Sequence, residues 1–431
     1  MAAFFDLIKQ NRNYRWMWLG QVVSEVGDHF NNIAVFSLAM KYTGSGLVIT
    51  GIMLSRAIPA ILVGPMAGVL LDRWDRRRIM IISDLVRALV AFGFMLSLAY
   101  PSSTLLYVLS ALLMVASPFF TAGRSAILPR IASKQELHTA NSMTQTTGWT
   151  TLTIGTFAGG ASVAQFGFEW AFLLNTLSFL FSALCIMNLS APGGFKVNRN
   201  ISLTENDILA PFRDYRQGLA YMARNPLILG IALVSVGWAT GGGAAQVLFT
   251  IFGEVVFNRG PAGIGYIWGS AGLGLLVGGF IAHRLGGHVP FERYKLLVSI
   301  CYLLHGGAYI VFSQMQSFLL ACFFIGLSRA AVAITSVLNM SQLLRHVSDE
   351  YRGRVFSTIE TMNWTTMMVS MMMAGIASTK YSPRDIGAVA GILSSSTAVF
   401  WGLANYLGKL PEPPRLGVEP EEVEVHGEPT V

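Results

Sequence analysis

The chain has 431 residues, of which 53% are hydrophobic and 12% are charged, and its formal net charge is +7 at pH 7. Soluble domains carry about 25% charged residues, so the charged share is about half the usual one. This composition excludes a soluble enzyme domain, a disordered chain and a disulfide scaffold, and it indicates a protein that lies mostly in lipid.

Twelve runs of the sequence are long and apolar enough to cross a bilayer as helices, which requires about 20 mostly apolar residues each. The predicted spans are residues 16–40, 47–71, 79–99, 104–124, 141–164, 168–190, 226–252, 263–285, 294–313, 316–340, 354–378 and 385–407. The sequence therefore predicts an all-α membrane protein with twelve transmembrane helices.

Basic residues are divided unequally between the loops on the two sides of the membrane. With the N-terminus inside, 23 of the 30 Lys and Arg residues lie on the inner side and four on the outer side. This excess predicts a multi-pass plasma (inner) membrane protein with both termini in the cytoplasm. Because the positive charge is dispersed over short loops, no nucleic-acid partner is expected.

The sequence resembles itself at an offset of about half its length. Residues 142–151 align with residues 357–366, which places Trp149 on Trp364, and residues 68–73 align with residues 279–284. Two similar bundles related by a pseudo-two-fold axis place a substrate site between them, near the middle of the membrane.

The repeat and the longest internal loop divide the chain into four predicted parts. These are an N-terminal six-helix bundle over residues 1–190, a cytoplasmic linker over 191–225, a C-terminal six-helix bundle over 226–410, and a disordered acidic tail over 411–431. Residues 212–219 of the linker are amphipathic and are expected to lie along the inner interface.

Several motifs resemble those of the major facilitator superfamily. Residues 64–78 read GPMAGVLLDRWDRRR and look like its signature loop, and residues 155–160 read GTFAGG and are similar to its antiporter motif, with Thr156 where Pro is usual. Residues 124–142, 171–175 and 352–355 resemble the branch that includes macrolide efflux proteins and the enterobactin exporter. The resemblance implies a major facilitator fold and a cavity lined by the first, fourth, seventh and tenth spans. Because the sequence contains no ATP-binding loop and no catalytic motif, neither enzyme activity nor a cofactor is expected.

Polar side chains recur at helical spacing along the first span. They are Gln21, Glu25, Asp28, His29 and Asn32. Because ionisable residues inside a span are costly, they usually face a bundle interior or a wet cavity. We predict Asp28 as the proton or cation site, with Glu25 second, and Gln21 and Asn32 in the substrate cavity; the alternative is a structural hydrogen-bond cluster.

No metal site is predicted from the sequence. Asp28 and His29, with nearby Asn side chains, are the alternative for a divalent cation, because they crowd oxygen and nitrogen groups into one helical turn. The competing interpretation of His29 is a hydrogen-bonded polar histidine.

Two arginines and a tryptophan within other spans are predicted to face the substrate cavity. Arg56 needs a partner, for which Asp28 or Glu25 on the neighbouring helix is the candidate. Arg329 is expected to attract an anionic substrate group or to hold Glu360, and Trp238 to contact a large amphipathic ligand.

Glu360 is a third candidate for coupling. It aligns with Gln145 in the repeat, so the two halves differ in charge at this position. Glu360 either has a coupling or gating role or forms a salt bridge near the inner mouth of the transporter.

The resemblance also assigns a mechanical role to the signature loop. In that reading the loop latches the outward-open state by binding helix ends of the other half, through Gly68, Asp72, Arg73, Arg76 and Arg77. The antiporter-like motif contributes Gly155, Gly159 and Gly160.

These features predict a monomeric secondary active transporter that exports amphipathic small molecules, of the drug or siderophore type, by alternating access and proton antiport. Its expected partners are the substrate, protons and membrane lipids. Three alternatives stay open: a lysophospholipid or lipid flippase in which Arg329 or Arg56 holds a phosphate, a divalent-metal exporter that uses Asp28 and His29, and a sensor or scaffold that does not transport.

Overall fold

The computed structural model describes residues 2–190, 194–195, 210–285 and 289–412, and within these residues all regular secondary structure is helical. In chain order the helices are α1 (Ala2–Gln10), α2 (Arg12–Thr43), α3 (Gly46–Arg73), α4 (Arg76–Gly93), α5 (Leu96–Ala99), α6 (Ser103–Ile131), α7 (Lys134–Phe166), α8 (Phe168–Met187), α9 (Ala210–Arg224), α10 (Pro226–Ile251), α11 (Gly260–Leu285), α12 (Phe291–Gln314), α13 (Phe318–His346), α14 (Asp349–Ala377) and α15 (Pro383–Tyr406). A π-helical turn over Phe252–Val256 continues α10.

Each predicted span falls on a helix, and the third is divided between α4 and α5. In the described part of the chain, nine helices combine the length and apolar composition that crossing a membrane requires. Helices α2, α7 and α14 are more polar, but they have 32, 33 and 29 residues. At about 1.5 Å per residue each exceeds the roughly 30 Å of a bilayer core.

Several helices extend beyond the predicted spans, and at one of them the difference changes the environment of a charged residue. Helix α6 continues to Ile131, so Arg124 lies inside the helix rather than in a cytoplasmic loop. The following helix begins at a capping box, in which the Ser133 hydroxyl accepts from the Glu136 backbone N–H at 3.3 Å and the Glu136 carboxylate accepts from the Ser133 N–H at 2.7 Å. This arrangement satisfies two backbone donors at the helix start and fixes the short connection between α6 and α7.

Helix packing repeats between the two halves of the chain. In the first half α2 packs against α7 and α8, α3 packs against α6, and α4 packs against α6 and α8. In the second half α10 packs against α14 and α15, α11 packs against α13, and α12 packs against α13 and α15. The same pairs therefore recur in the same order, which confirms the predicted pair of pseudo-symmetric six-helix bundles.

Helix α9 contains the predicted amphipathic segment and packs against the start of α14. Arg354 Nε lies 3.4 Å from Asp214 Oδ1, and a Cβ on Gly218 would lie 2.7 Å from the Arg354 carbonyl oxygen. Most of the linker before α9 and most of the acidic tail lie outside the described residues. The exact domain limits stay a prediction.

The two halves contact each other through α7 with α11 and through α3 with α14. A Cβ on Gly160 would lie 2.8 Å from the Gly265 Cα, so these helix backbones are in direct contact. The Thr50 hydroxyl donates to the Met371 carbonyl at 3.3 Å. We call the side of the membrane with the α3–α4 loop the basic side and the side with the α2–α3 connection the opposite side. The Gly160 and Thr50 contacts lie toward the opposite side.

We expect Gly160→Ala to lower the unfolding temperature in detergent, because its Cβ would force two backbones apart, at a cost of about 1–3 kcal/mol. Gly148→Ala is the matched control on the same helix, since a Cβ there meets no atom within 4 Å. Equal unfolding temperatures for the two variants would contradict the close contact between α7 and α11.

Candidate functional site

A cavity of about 230 Å³ lies between the two halves of the protein. Helices α2, α3 and α7 form its wall on one side, and α10 and α11 on the other. Apolar side chains such as Phe36 and Met53 form part of this wall. Its polar lining consists of His29, Asn32, Arg56, Thr156 and Gln246, together with the indole of Trp268. The cavity therefore combines an apolar wall with one permanently charged group.

The polar side chains of α2 divide between three environments. Gln21 and Glu25 lie near α6 and α7, Asp28 lies toward α4 and α8, and His29 and Asn32 line the cavity. Side chains that are three or four residues apart on a straight helix do not point in the same direction. Because other helices pack closely around α2, these differences in direction place the side chains in different surroundings.

Glu25 connects α2 to two other helices. Its Oε1 accepts from Gln21 Nε2 at 2.8 Å and lies 3.4 Å from Arg124 Nη1, while Oε2 accepts from the Thr151 hydroxyl at 2.8 Å. The Glu25 side chain is 29% exposed. The Glu25 side chain is therefore partly exposed and also bonded to α6 and α7. Spacing along the sequence does not predict its two partners, because both lie about 100 or more residues away.

Asp28 lies inside the first half, where Arg87, Arg56 and Asn175 surround its carboxyl group. Its Oδ1 atom is buried and has no hydrogen-bond partner. Arg87 forms a buried ion pair with Asp84. Asp28 is therefore a half-buried residue with one buried carboxyl oxygen, and nearby positive charge rather than a direct ion pair compensates its charge.

Arg87 is further held between two aromatic rings. Its guanidinium carbon lies 4.4 Å from the ring centroids of both Phe120 and Phe179. Cation–π contacts of this kind stabilise a cation in a desolvated site. The Asp84–Arg87 pair therefore fixes a positive charge beside Asp28.

Arg56 takes a partner other than the one expected from sequence. Its Nη1 donates to Asn32 Oδ1, and the ion pairs of the described residues do not include Arg56. Glu25 faces Arg124 instead, and Asp28 acts on Arg56 only through space. The guanidinium therefore lines the cavity without a carboxylate in contact.

His29 and Asp28 point to different places. His29 packs against Gly155, where a Cβ would lie 2.9 Å from the His29 Cβ, and it lines the cavity. Within the described residues, no group of three or more His, Cys, Asp and Glu side chains is arranged to hold a metal ion. The geometry thus gives no support to the divalent-metal alternative.

Glu360, Arg329 and Trp238 lie apart from this cavity lining. Glu360 accepts from Trp364 Nε1 at 2.8 Å on its own helix and lines a second cavity of about 540 Å³, within the second half. The Arg329 guanidinium lies 5.2 Å from the Phe249 ring centroid, and Trp238 has a buried indole N–H without an acceptor. Glu360 and Arg329 are therefore not partners of each other.

Among the described residues, the hydrogen bonds and ion pairs of the signature loop are all to its own half of the protein. Arg76 Nη2 lies 3.3 Å from Asp72 and Nη1 donates to the Ala126 carbonyl at 2.8 Å, while Arg77 Nε donates to the Ile186 carbonyl at 3.1 Å. Arg73 is exposed, and a Cβ on Gly68 would meet no atom within 4 Å. The predicted latch to the second half is not formed in this conformation.

The opposite side is closed by a polar contact between the halves. The Ser37 hydroxyl on α2 donates to the Glu254 carboxylate, at 3.2 Å from Oε2 and 3.3 Å from Oε1. Glu254 lies in the π-helical turn after α10, and such turns are frequent at functional sites. Spacing along the chain does not predict this contact, because it depends on how the two halves meet.

A family model described as Major Facilitator Superfamily matches residues 17–365. The chain belongs to this family of membrane transporters and is not an enzyme. Its fold agrees with the crystal structure of the nucleoside transporter NupG, with a TM-score of 0.70 at 9% identity over 92% of this chain and 99% of that one.

Relatives at low identity include exporters. The chain is 26% identical over 417 residues to the uncharacterized MFS-type transporter YfiS of Bacillus subtilis, with 94% of each chain covered. It is 20% identical over 401 residues to macrolide efflux protein A of Streptococcus pyogenes, covering 91% of this chain and 96% of the relative. It is 25% identical over 391 residues to the enterobactin exporter EntS of Citrobacter koseri, covering 90% of each chain. The predicted resemblance to this branch is confirmed.

We expect Ser37→Ala to favour opening of the opposite side, because it removes a hydrogen bond between the halves worth about 1 kcal/mol. The measurement is the distance distribution between spin labels at positions 43 and 258, with Cys185, Cys301 and Cys322 replaced by Ala. The population at longer distances should increase. Ser117→Ala is the control, since the Ser117 hydroxyl donates within α6. An equal increase at longer distances in Ser117→Ala would contradict a role of the Ser37–Glu254 hydrogen bond in closing the opposite side.

Proposed function

We propose that this protein is a secondary active exporter of amphipathic small molecules, driven by proton antiport through alternating access. The observation that carries the proposal is a cavity at the interface of the two halves, closed by contacts on the opposite side, beside a partly exposed carboxylate. The names of its relatives, a macrolide efflux protein and an enterobactin exporter, support the direction of transport and the substrate type.

Glu25 is the best-supported proton site. A carboxylate at this position forms an ion pair with Arg124 and accepts from Thr151, whereas a protonated carboxyl group gives up the charge attraction to Arg124. The three helices joined at Glu25 include α2 and α7, which both contact the second half. Proton binding at Glu25 thereby changes the relative free energies of the two conformations, which is the requirement for coupling.

Asp28 is the second candidate, and its surroundings suggest a different role. It lies among Arg56, Arg87 and Asn175, so its charge balances buried cations. Removal of one member of a buried charge cluster leaves the others uncompensated. We therefore assign Asp28 to the electrostatic balance of the cavity and Glu25 to proton exchange, while Glu360 at the second cavity is a candidate gating residue.

The test is uptake of enterobactin and of erythromycin into proteoliposomes with an acidic interior. We expect the wild type to accumulate at least one of these probes against its gradient. Glu25→Gln should lose pH-driven accumulation by about tenfold or more while it retains downhill exchange, because the substrate cavity is intact. Glu169→Gln replaces an exposed acid of the same half and should behave as the wild type.

Three outcomes separate the readings. Loss of accumulation in Asp28→Asn but not in Glu25→Gln would move the proton site to Asp28. Accumulation that is independent of the pH gradient would contradict proton antiport. Movement of lysophosphatidylglycerol between leaflets, without uptake of either probe, would indicate the flippase alternative.

A further inference from the structure

We propose that the central cavity binds the anionic group of its substrate at Arg56, so that the exported molecule is an amphipathic anion. This inference rests on the proposed function, since it takes the cavity between the halves as the substrate site. Among the described residues that line the cavity, Arg56 is the one permanently charged side chain, and none is Asp or Glu.

Two groups of the cavity lining, the Arg56 guanidinium and the Trp268 indole, can only donate hydrogen bonds. Arg56 uses Nη1 toward Asn32, which leaves other N–H groups of the guanidinium available, because it carries five. The indole N–H of Trp268 is buried and has no acceptor among the described residues. A buried donor without an acceptor is costly, and an anionic oxygen of a ligand removes that cost.

A buried arginine of the second half, Arg329, lies behind the lining residue Trp268. The Phe249 ring lies 5.0 Å from the Trp268 ring, and its centroid lies 5.2 Å from the Arg329 guanidinium carbon. Arg329 is 8% exposed, and the ion pairs of the described residues do not include it. Arg329 is therefore separated from the lining residue Trp268 by the Phe249 ring, and only Arg56 lines the cavity itself.

The other lining residues indicate the chemistry of the rest of the ligand. Phe36, Met53 and Leu152 supply apolar surface next to the polar groups. Ligand sites typically combine such a wall with a few polar groups that fix orientation. The chemical class is therefore an aromatic or aliphatic body that carries a carboxylate, catecholate or phosphate.

The negative charge of Asp28 opposes anion binding at Arg56. A variant that removes this charge therefore tests whether the binding is electrostatic. It is the acidic group that acts on Arg56 through space. A negative charge near Arg56 reduces the attraction of the guanidinium for an anion. Removing the Asp28 charge should therefore strengthen anion binding, whereas removing the Arg56 charge should weaken it.

The experiment is calorimetric titration of the full-length protein in neutral detergent with three probes of matched shape: 1-naphthylacetate, the neutral 1-naphthylacetamide and 2-(1-naphthyl)ethylammonium. The anion should bind about tenfold or more tightly than the amide, and the cation most weakly. Arg56→Gln should remove the preference for the anion while it leaves amide affinity unchanged. Arg56→Lys should keep part of the preference, and Asp28→Asn should increase it.

Arg345→Gln is the control, because that arginine is exposed on α13 and lies outside the cavity lining. Thermal unfolding without ligand checks that each variant is folded. Equal affinities for the three probes, a preference for the cation, absence of binding by all three, or an anion preference that survives Arg56→Gln would overturn the proposal.

Lysophosphatidylglycerol distinguishes the source of the anion. If it binds more tightly than 1-naphthylacetate with the same dependence on Arg56, the anionic group belongs to a lipid; weaker binding assigns it to a water-soluble amphiphile. Both results support the anion site. Arg56-dependent binding without export in proteoliposomes would contradict the proposed function alone, and export of probes without an Arg56-dependent charge preference would contradict this inference alone.

Discussion

The cost of placing charge inside a bilayer constrains the structure most strongly. A charged side chain at membrane depth needs a partner, a wet cavity or both. In the first half, Asp84 pairs with Arg87 and Glu25 pairs with Arg124. Asp28 and Arg56 do not form such a contact, and they lie at the boundary between this packed interior and the cavity. The positions of the helices around α2 therefore follow from the need to compensate these charges.

Close packing between the halves uses small residues for a related reason. Without a hydrophobic driving force in lipid, helices associate through short backbone approaches and hydrogen bonds. Gly160 and Gly265 bring α7 and α11 into backbone contact, and Ser37 binds Glu254 across the same interface. The transport cycle that we propose requires this interface to separate. The signature loop, bound within its own half here, is available for the other conformation.

Sequence patterns predicted the spans, the repeat and the family, because apolar runs and positional repeats are local signals. They located Arg56 and Asn32, which line the cavity, but not the partners of each charge. Arg124 was placed in a loop because the apolar run ends near it, although α6 continues to Ile131. The pairing of Glu25 with Arg124 and of Ser37 with Glu254 depends on helix rotation and tertiary packing, which spacing along one chain does not encode.

The central claim is that proton exchange at Glu25 is linked to substrate binding in the neighbouring cavity. The most direct measurement is the number of protons released when enterobactin is added to weakly buffered, purified protein containing a pH indicator. Antiport through Glu25 predicts proton release on binding by the wild type and none by Glu25→Gln, with both forms binding the ligand. Binding without proton release, or equal release by both forms, would contradict the account.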